Sequence, residues 1–184
     1  MGFRIKMNPH NTLFNIAFYH LRTAEDKVQD DTPDGLTLDC VSCIVFTAFA
    51  VEALLNFVAK ETDYKENPGD KFPRRLKSLC ESVGMEYDAG RQPVQSIQRL
   101  QAIRNALAHG KPYHSVSEAS SKAELDAAMK YGWRSDCTPE AARRLFDNAK
   151  AFKKQLLDCS KIPPGQELDC AIGGWAEVQR PTAP

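Results

Sequence analysis

The longest apolar stretch of the chain, Val41 to Ala59, is nearly long enough to span a bilayer. Ser42, Thr47, Glu52 and Asn56 interrupt it, and a carboxylate in the middle of a lipid-exposed helix is costly. The segment from about Leu36 to Lys60 therefore reads as a helix apolar nearly all round, the pattern of the central helix of a bundle. Such a helix must be covered by other helices, and the rest of the sequence supplies them.

Four further segments have helical period, and none reads clearly as a strand. The first runs from about Thr12 to Asp30, with Phe14, Ala17, Phe18, Leu21, Ala24 and Val28 facing inward. Turn residues from Asp30 to Gly35 end it. Another spans about Lys71 to Val83, with Phe72, Leu76, Leu79, Cys80 and Val83 on one face and Gly84 as its stop. The next starts near Pro93, turns Val94, Ile97, Leu100, Ile103 and Leu107 inward, and ends at His109 before Gly110 and Pro112. The last opens with Thr138 as cap and Pro139 at the first helical position, and reaches about Cys159 through Ala142, Leu145, Phe146, Ala149, Phe152 and Leu156. A shorter helix is expected across Glu118 to Lys130. The pattern predicts an all-α, up-and-down bundle of four to five helices over residues 1–160, with a short extra helix. Residues 161–184, rich in Pro and Gly, read as an irregular C-terminal tail that Ile172 and Trp175 would pin to the body.

Composition narrows the function. At 184 residues the chain can bury a core without metal or disulfide staples. Its 24 basic and 24 acidic residues cancel, which argues against non-specific coating of nucleic acid, an affinity built from many phosphate contacts. A local basic cleft is still allowed, from Lys71, Arg74, Arg75 and Lys77 or from Arg143, Arg144, Lys150, Lys153 and Lys154. The first six residues hold no apolar core of signal-peptide length, so a cytoplasmic location without membrane attachment is expected. The six scattered cysteines then read as free thiols, and Cys40 and Cys43, despite their CxxC spacing, as two core thiols.

Two charges break the apolar pattern. At about 100° per residue, Arg104 falls inside the arc of Ile97, Leu100, Ile103 and Leu107, and Glu52 lies within the central helix. Either charge buried alone would be expensive, so the two are expected to pair. That pair could simply fix the register of two helices, or it could hold Arg104 ready for a phosphate, whose oxygens match the planar guanidinium fork. His109 admits the same two readings: helix-end carbonyl dipoles favour a cation there, and an imidazole can also give or take a proton. Asn105 and His109, four residues apart, share a face. Arg104 and His109 are roughly 140° apart around the helix.

Taken together, Arg104, Asn105 and His109 before Gly110, with the segment Phe46 to Asn56 carrying Glu52, resemble the HEPN superfamily (higher eukaryotes and prokaryotes nucleotide-binding). The resemblance covers residues 12 to 158 and implies a metal-independent endoribonuclease without cofactor. In that chemistry the ribose 2′-hydroxyl attacks the adjacent phosphate and leaves a 2′,3′-cyclic phosphate. The resemblance makes His109 and Arg104 catalytic and Asn105 and Glu52 supporting, in a composite site at a homodimer interface. It also suggests RNA as substrate, a toxin or defence role, and a separately encoded antitoxin or nucleotidyltransferase as partner. Two alternatives stay open: a non-catalytic module of the same type that binds a nucleotide or protein, and a purely structural helical interaction protein.

Overall fold

The computed structural model describes residues 3–112, 118, 120–121, 124–125 and 132–173. Its architecture is all-α. The helices are α1 (Pro9–Gln29), α2 (Leu36–Glu61), α3 (Phe72–Ser82), α4 (Val94–Ala108) and α5 (Pro139–Ser160), with one 3-10 turn at Arg134–Asp136 before the last. The short helix expected across Glu118 to Lys130 falls mostly outside the described residues.

The helix α2 packs against each of the other four, most extensively against α1. By length and composition it could cross a membrane, but more than half of its most apolar window is buried inside the bundle. Ile44, Val51, Leu54, Leu55 and Val58 are each at most 1% exposed. Burying an aliphatic side chain stabilises by roughly 1.5–3 kcal/mol, so this one helix anchors the core. Leu21 and Ala24 of α1, Leu76 and Leu79 of α3, Ile97, Leu100 and Ile103 of α4, and Phe152 and Leu156 of α5 close around it.

Local chemistry sets the helix ends. Pro139 takes the first turn of α5, and the Thr138 hydroxyl accepts from Ala141 N at 3.2 Å. Gly84, just past α3, sits at φ +77°, a left-handed conformation that only glycine adopts without strain. Across helices, the Glu25 carboxylate accepts two hydrogen bonds from Arg143, at 2.8 and 2.6 Å, tying α1 to α5. Asp39 of α2 accepts from Lys27 of α1 at 2.6 Å. The cysteines Cys40, Cys43, Cys80 and Cys137 are buried free thiols, the first two in the core as their place in the apolar helix implied.

Two features differ from the periodicity reading. First, α1 begins at Pro9 rather than Thr12, because proline is well placed at a first helical position. That extra turn buries His10 completely, while Phe18 and Val28 stay 47% and 53% exposed. Second, Phe3–Lys6 (β1) pairs antiparallel with Cys170–Gly173 (β2), so the tail is regular where it meets the N-terminal segment. The approach to β2 is tied down as well. The Asn8 side chain donates to the carbonyls of Gln166 and Leu168, and Asn11 donates to that of Glu167. Asn8 therefore makes no side-chain cap on α1.

Candidate functional site

The Arg104 to His109 segment is the last turn and a half of α4, and α2 lies beside it. The Arg104 guanidinium reaches Glu52 Oε2 through Nη2 at 3.4 Å. This is a single long contact, not a two-pronged one, and the side chains stay 24% and 34% exposed. Neither charge is therefore buried in the core. The helix leaves both at a half-wet rim, which removes most of the desolvation cost that made pairing obligatory.

Two further neighbours hold Arg104 in place, and only Phe49 among them had no place in the sequence pattern. Its Cζ lies 5.3 Å from the centre of the Phe49 ring, one turn before Glu52 on α2, within cation–π range. Its Nη1 donates to Asn105 Oδ1 at 2.9 Å. Gln101, one turn earlier on α4, donates from Nε2 to the same oxygen at 3.3 Å. Asn105 is thus drawn back toward Arg104 and does not sit with His109 on an independent outer flank. The Nε of Arg104 is enclosed and has no partner among the described residues.

His109 stands apart from this group. It is the C-terminal cap of α4, its backbone N donating to Asn105 O at 2.9 Å, and its side chain is exposed. Among the described residues the imidazole has no hydrogen-bond partner. The next residue must be small: a Cβ on Gly110 would meet the Ala106 carbonyl oxygen at 2.7 Å. The structure therefore brings Glu52, Arg104, Asn105 and Gln101 into one network and leaves His109 open to solvent at the helix end.

Ion pairing sorts the basic candidates. Arg74 pairs with Asp70, Arg75 with Glu66, Lys77 with Glu81, Arg143 with Glu25 and Lys154 with Asp158. Lys71, Arg144, Lys150 and Lys153 have no carboxylate partner among the described residues. Lys71 lines a cavity of about 560 Å³ whose other wall includes Asn105. Lys150 and Lys153 line another, of about 630 Å³, at the end of α5. Among the described residues no group of three His, Cys, Asp or Glu side chains could hold a metal ion.

With this geometry in hand, comparison with models of known protein families, with curated proteins and with solved structures finds no match to the chain.

Proposed function

We propose that the chain is a HEPN-type endoribonuclease that works without a metal and forms its site where two copies meet. The observation that carries this reading is the contrast between Arg104 and His109. Arg104 is braced from three sides by Glu52, Phe49 and Asn105, yet is still a quarter exposed. Five residues on, His109 is an exposed imidazole with no hydrogen-bond partner among the described residues. A structural ion pair needs no unpartnered histidine at its margin. A phosphate site needs both a fixed guanidinium and a proton carrier.

In the proposed reaction an RNA phosphodiester lies against Arg104. The imidazole of His109 takes the proton of the 2′-hydroxyl as its oxygen attacks phosphorus. The bond to the 5′-oxygen breaks, and the His109 of a second copy gives that oxygen a proton. The products are a 2′,3′-cyclic phosphate and a 5′-hydroxyl. The guanidinium stabilises the negative charge on the equatorial oxygens of the transition state. Because His109 makes no contact with Arg104 in one chain, the second copy supplies closure.

The test is to incubate labelled RNA with the protein in excess chelator and to identify the product ends. Cleavage leaving cyclic-phosphate ends, lost in His109→Ala, is the expected outcome. Equal cleavage by wild type and His109→Ala removes the assignment, and a strictly monomeric active species removes the two-copy site. Arg104→Ala is the poorer probe, because it also removes the contacts with Phe49 and Glu52 and so mixes packing with chemistry.

A further inference from the structure

We propose that the cavity between the start of α3 and α4 is a nucleotide subsite, holding one base and one phosphate of an RNA strand that runs past Arg104. The strand rests on the ribonuclease reading above; the subsite rests on the cavity itself. Lys71, Phe72 and Pro73 line one side, and Gln98, Gln101, Ala102 and Asn105 the other. At about 560 Å³ it falls within the usual size of small-molecule sites.

Its polar wall is already oriented. Asn105 Oδ1 accepts from both Arg104 Nη1 and Gln101 Nε2. Arginine can only donate, so the amide oxygen must face it and the two N–H donors of Asn105 Nδ2 are left over. Gln101 is only 9% exposed, and with Nε2 committed to Asn105 its Oε1 has no partner among the described residues. Gln98 is similar, its Nε2 donating to the Tyr87 hydroxyl at 2.8 Å and its Oε1 without a partner among the described residues. Amide oxygens left open in this way can accept from an occupant of the cavity that brings its own N–H.

The charge is equally selective. Of the four cations at the start of α3, Arg74, Arg75 and Lys77 have carboxylate partners, and Lys71, on the cavity, has none among the described residues. The cavity thus offers an unmatched ammonium and amide donors for a phosphate, amide acceptors for a base edge, and the Phe72 ring and Pro73 as an apolar surface. Single-stranded RNA is recognised by that combination: phosphate contacts with stacking and amide hydrogen bonds to exposed bases. The network running from the cavity to Arg104 through Asn105 places the occupant next to the proposed cleavage site.

The experiment is calorimetric titration of the full chain, in chelator, with nucleoside 5′-monophosphates, the matching nucleosides, inorganic phosphate and a non-cleavable 2′-O-methyl tetranucleotide. A monophosphate should bind at least tenfold more tightly than either nucleoside or phosphate, and the tetranucleotide more tightly still. Lys71→Gln, at an exposed position, should weaken both by at least fivefold, and Ala102→Phe, which fills the cavity, should abolish both. Lys77→Gln, on the same helix but paired with Glu81 and off the cavity, should leave monophosphate binding within twofold. No saturable binding, phosphate binding as tightly as the nucleotide, or no effect of either cavity variant would overturn the subsite. Tighter binding of the monophosphate than of the tetranucleotide would overturn its occupation by a strand. If RNA is not cleaved but nucleotide binding needs Lys71, the ribonuclease reading fails and the subsite stands.

Discussion

Buried His10 makes the stability of this bundle depend on pH in a way that can be isolated by one substitution. Its side chain is fully enclosed, its ring lies 5.1 Å from that of Phe57, and neither ring nitrogen has a partner among the described residues. Burial first, and then the nearby Lys153 ammonium, pull its pKa from the ordinary 6.5 down to about 4, against the smaller pull of Asp169 and Glu167. The folded state therefore binds the proton less readily than the unfolded one. Stability from this residue is fully present above the unfolded pKa and falls as pH drops through the window from 6.5 to about 4. At about 1.4 kcal/mol per pKa unit, the full loss is roughly 3 kcal/mol, of which about 2 kcal/mol is reached by about pH 5. Urea unfolding of wild type and His10→Leu at pH 7 and pH 5 measures it. Titration of the other groups is common to both proteins and cancels in the difference. The acid loss should be smaller in His10→Leu by about 2 kcal/mol. Equal losses in the two proteins would refute the claim that a neutral imidazole is locked in this site.

Four further outcomes follow from other parts of the molecule. A double-mutant cycle on Glu52→Gln and Arg104→Gln, read by denaturant unfolding, should give a coupling of only about 0.5–1 kcal/mol, because the contact is long and partly wet. Gly110→Ala should lower stability by about 1–3 kcal/mol, since its new methyl collides with the Ala106 carbonyl, and should also reduce any activity that depends on His109. Thr138→Ala should cost about 1 kcal/mol in thermal unfolding through the lost α5 cap. In a Cys170→Ser background, a thiol reagent at mildly alkaline pH should label native Cys159 well before the others. Burial pushes Cys40 and Cys137 up to about 11 and Cys43 and Cys80 up to about 12, so they react only on unfolding.

The helices were legible because each carries its own instruction: a 3.6-residue apolar period, and at α5 a Thr–Pro start. The Glu52–Arg104 contact was legible as two charges set in apolar arcs, although both stay partly exposed and the cost that suggested the pairing is small. What escaped the sequence depends on neighbours distant in the chain. Asn8-Pro9-His10-Asn11 looks like a turn by composition, and only the docked tail explains why it is a buried helical start. Phe18 lies in the apolar stripe of α1, yet it stays half exposed with the Phe146 ring of α5 beside it. The value of Lys71 could not be read from a cluster of four cations: Asp70 and Glu81 stand one helical turn from Arg74 and Lys77, but only the fold brings Glu66 to Arg75 and leaves Lys71 on the cavity. Likewise the inward turn of Asn105 follows from the position of Gln101 and Arg104 side chains, which period alone leaves free.

The pairing of β1 with β2 sets how the molecule bears load. Closing a loop of roughly 160 residues costs about 4.5 kcal/mol in chain entropy beyond a constant, more than an isolated ribbon of this size can offset. The ribbon therefore exists because the assembled bundle has already brought its strands together. Its register puts Phe3 opposite Gly173 and Lys6 opposite Cys170, so the outer pair is the one nearest both ends of the paired segment. Tension applied to those two ends opens the ribbon like a zipper, one rung at a time and at low force. The helices feel the pull only after it has parted and the Asn8 and Asn11 hydrogen bonds to the tail have been drawn taut.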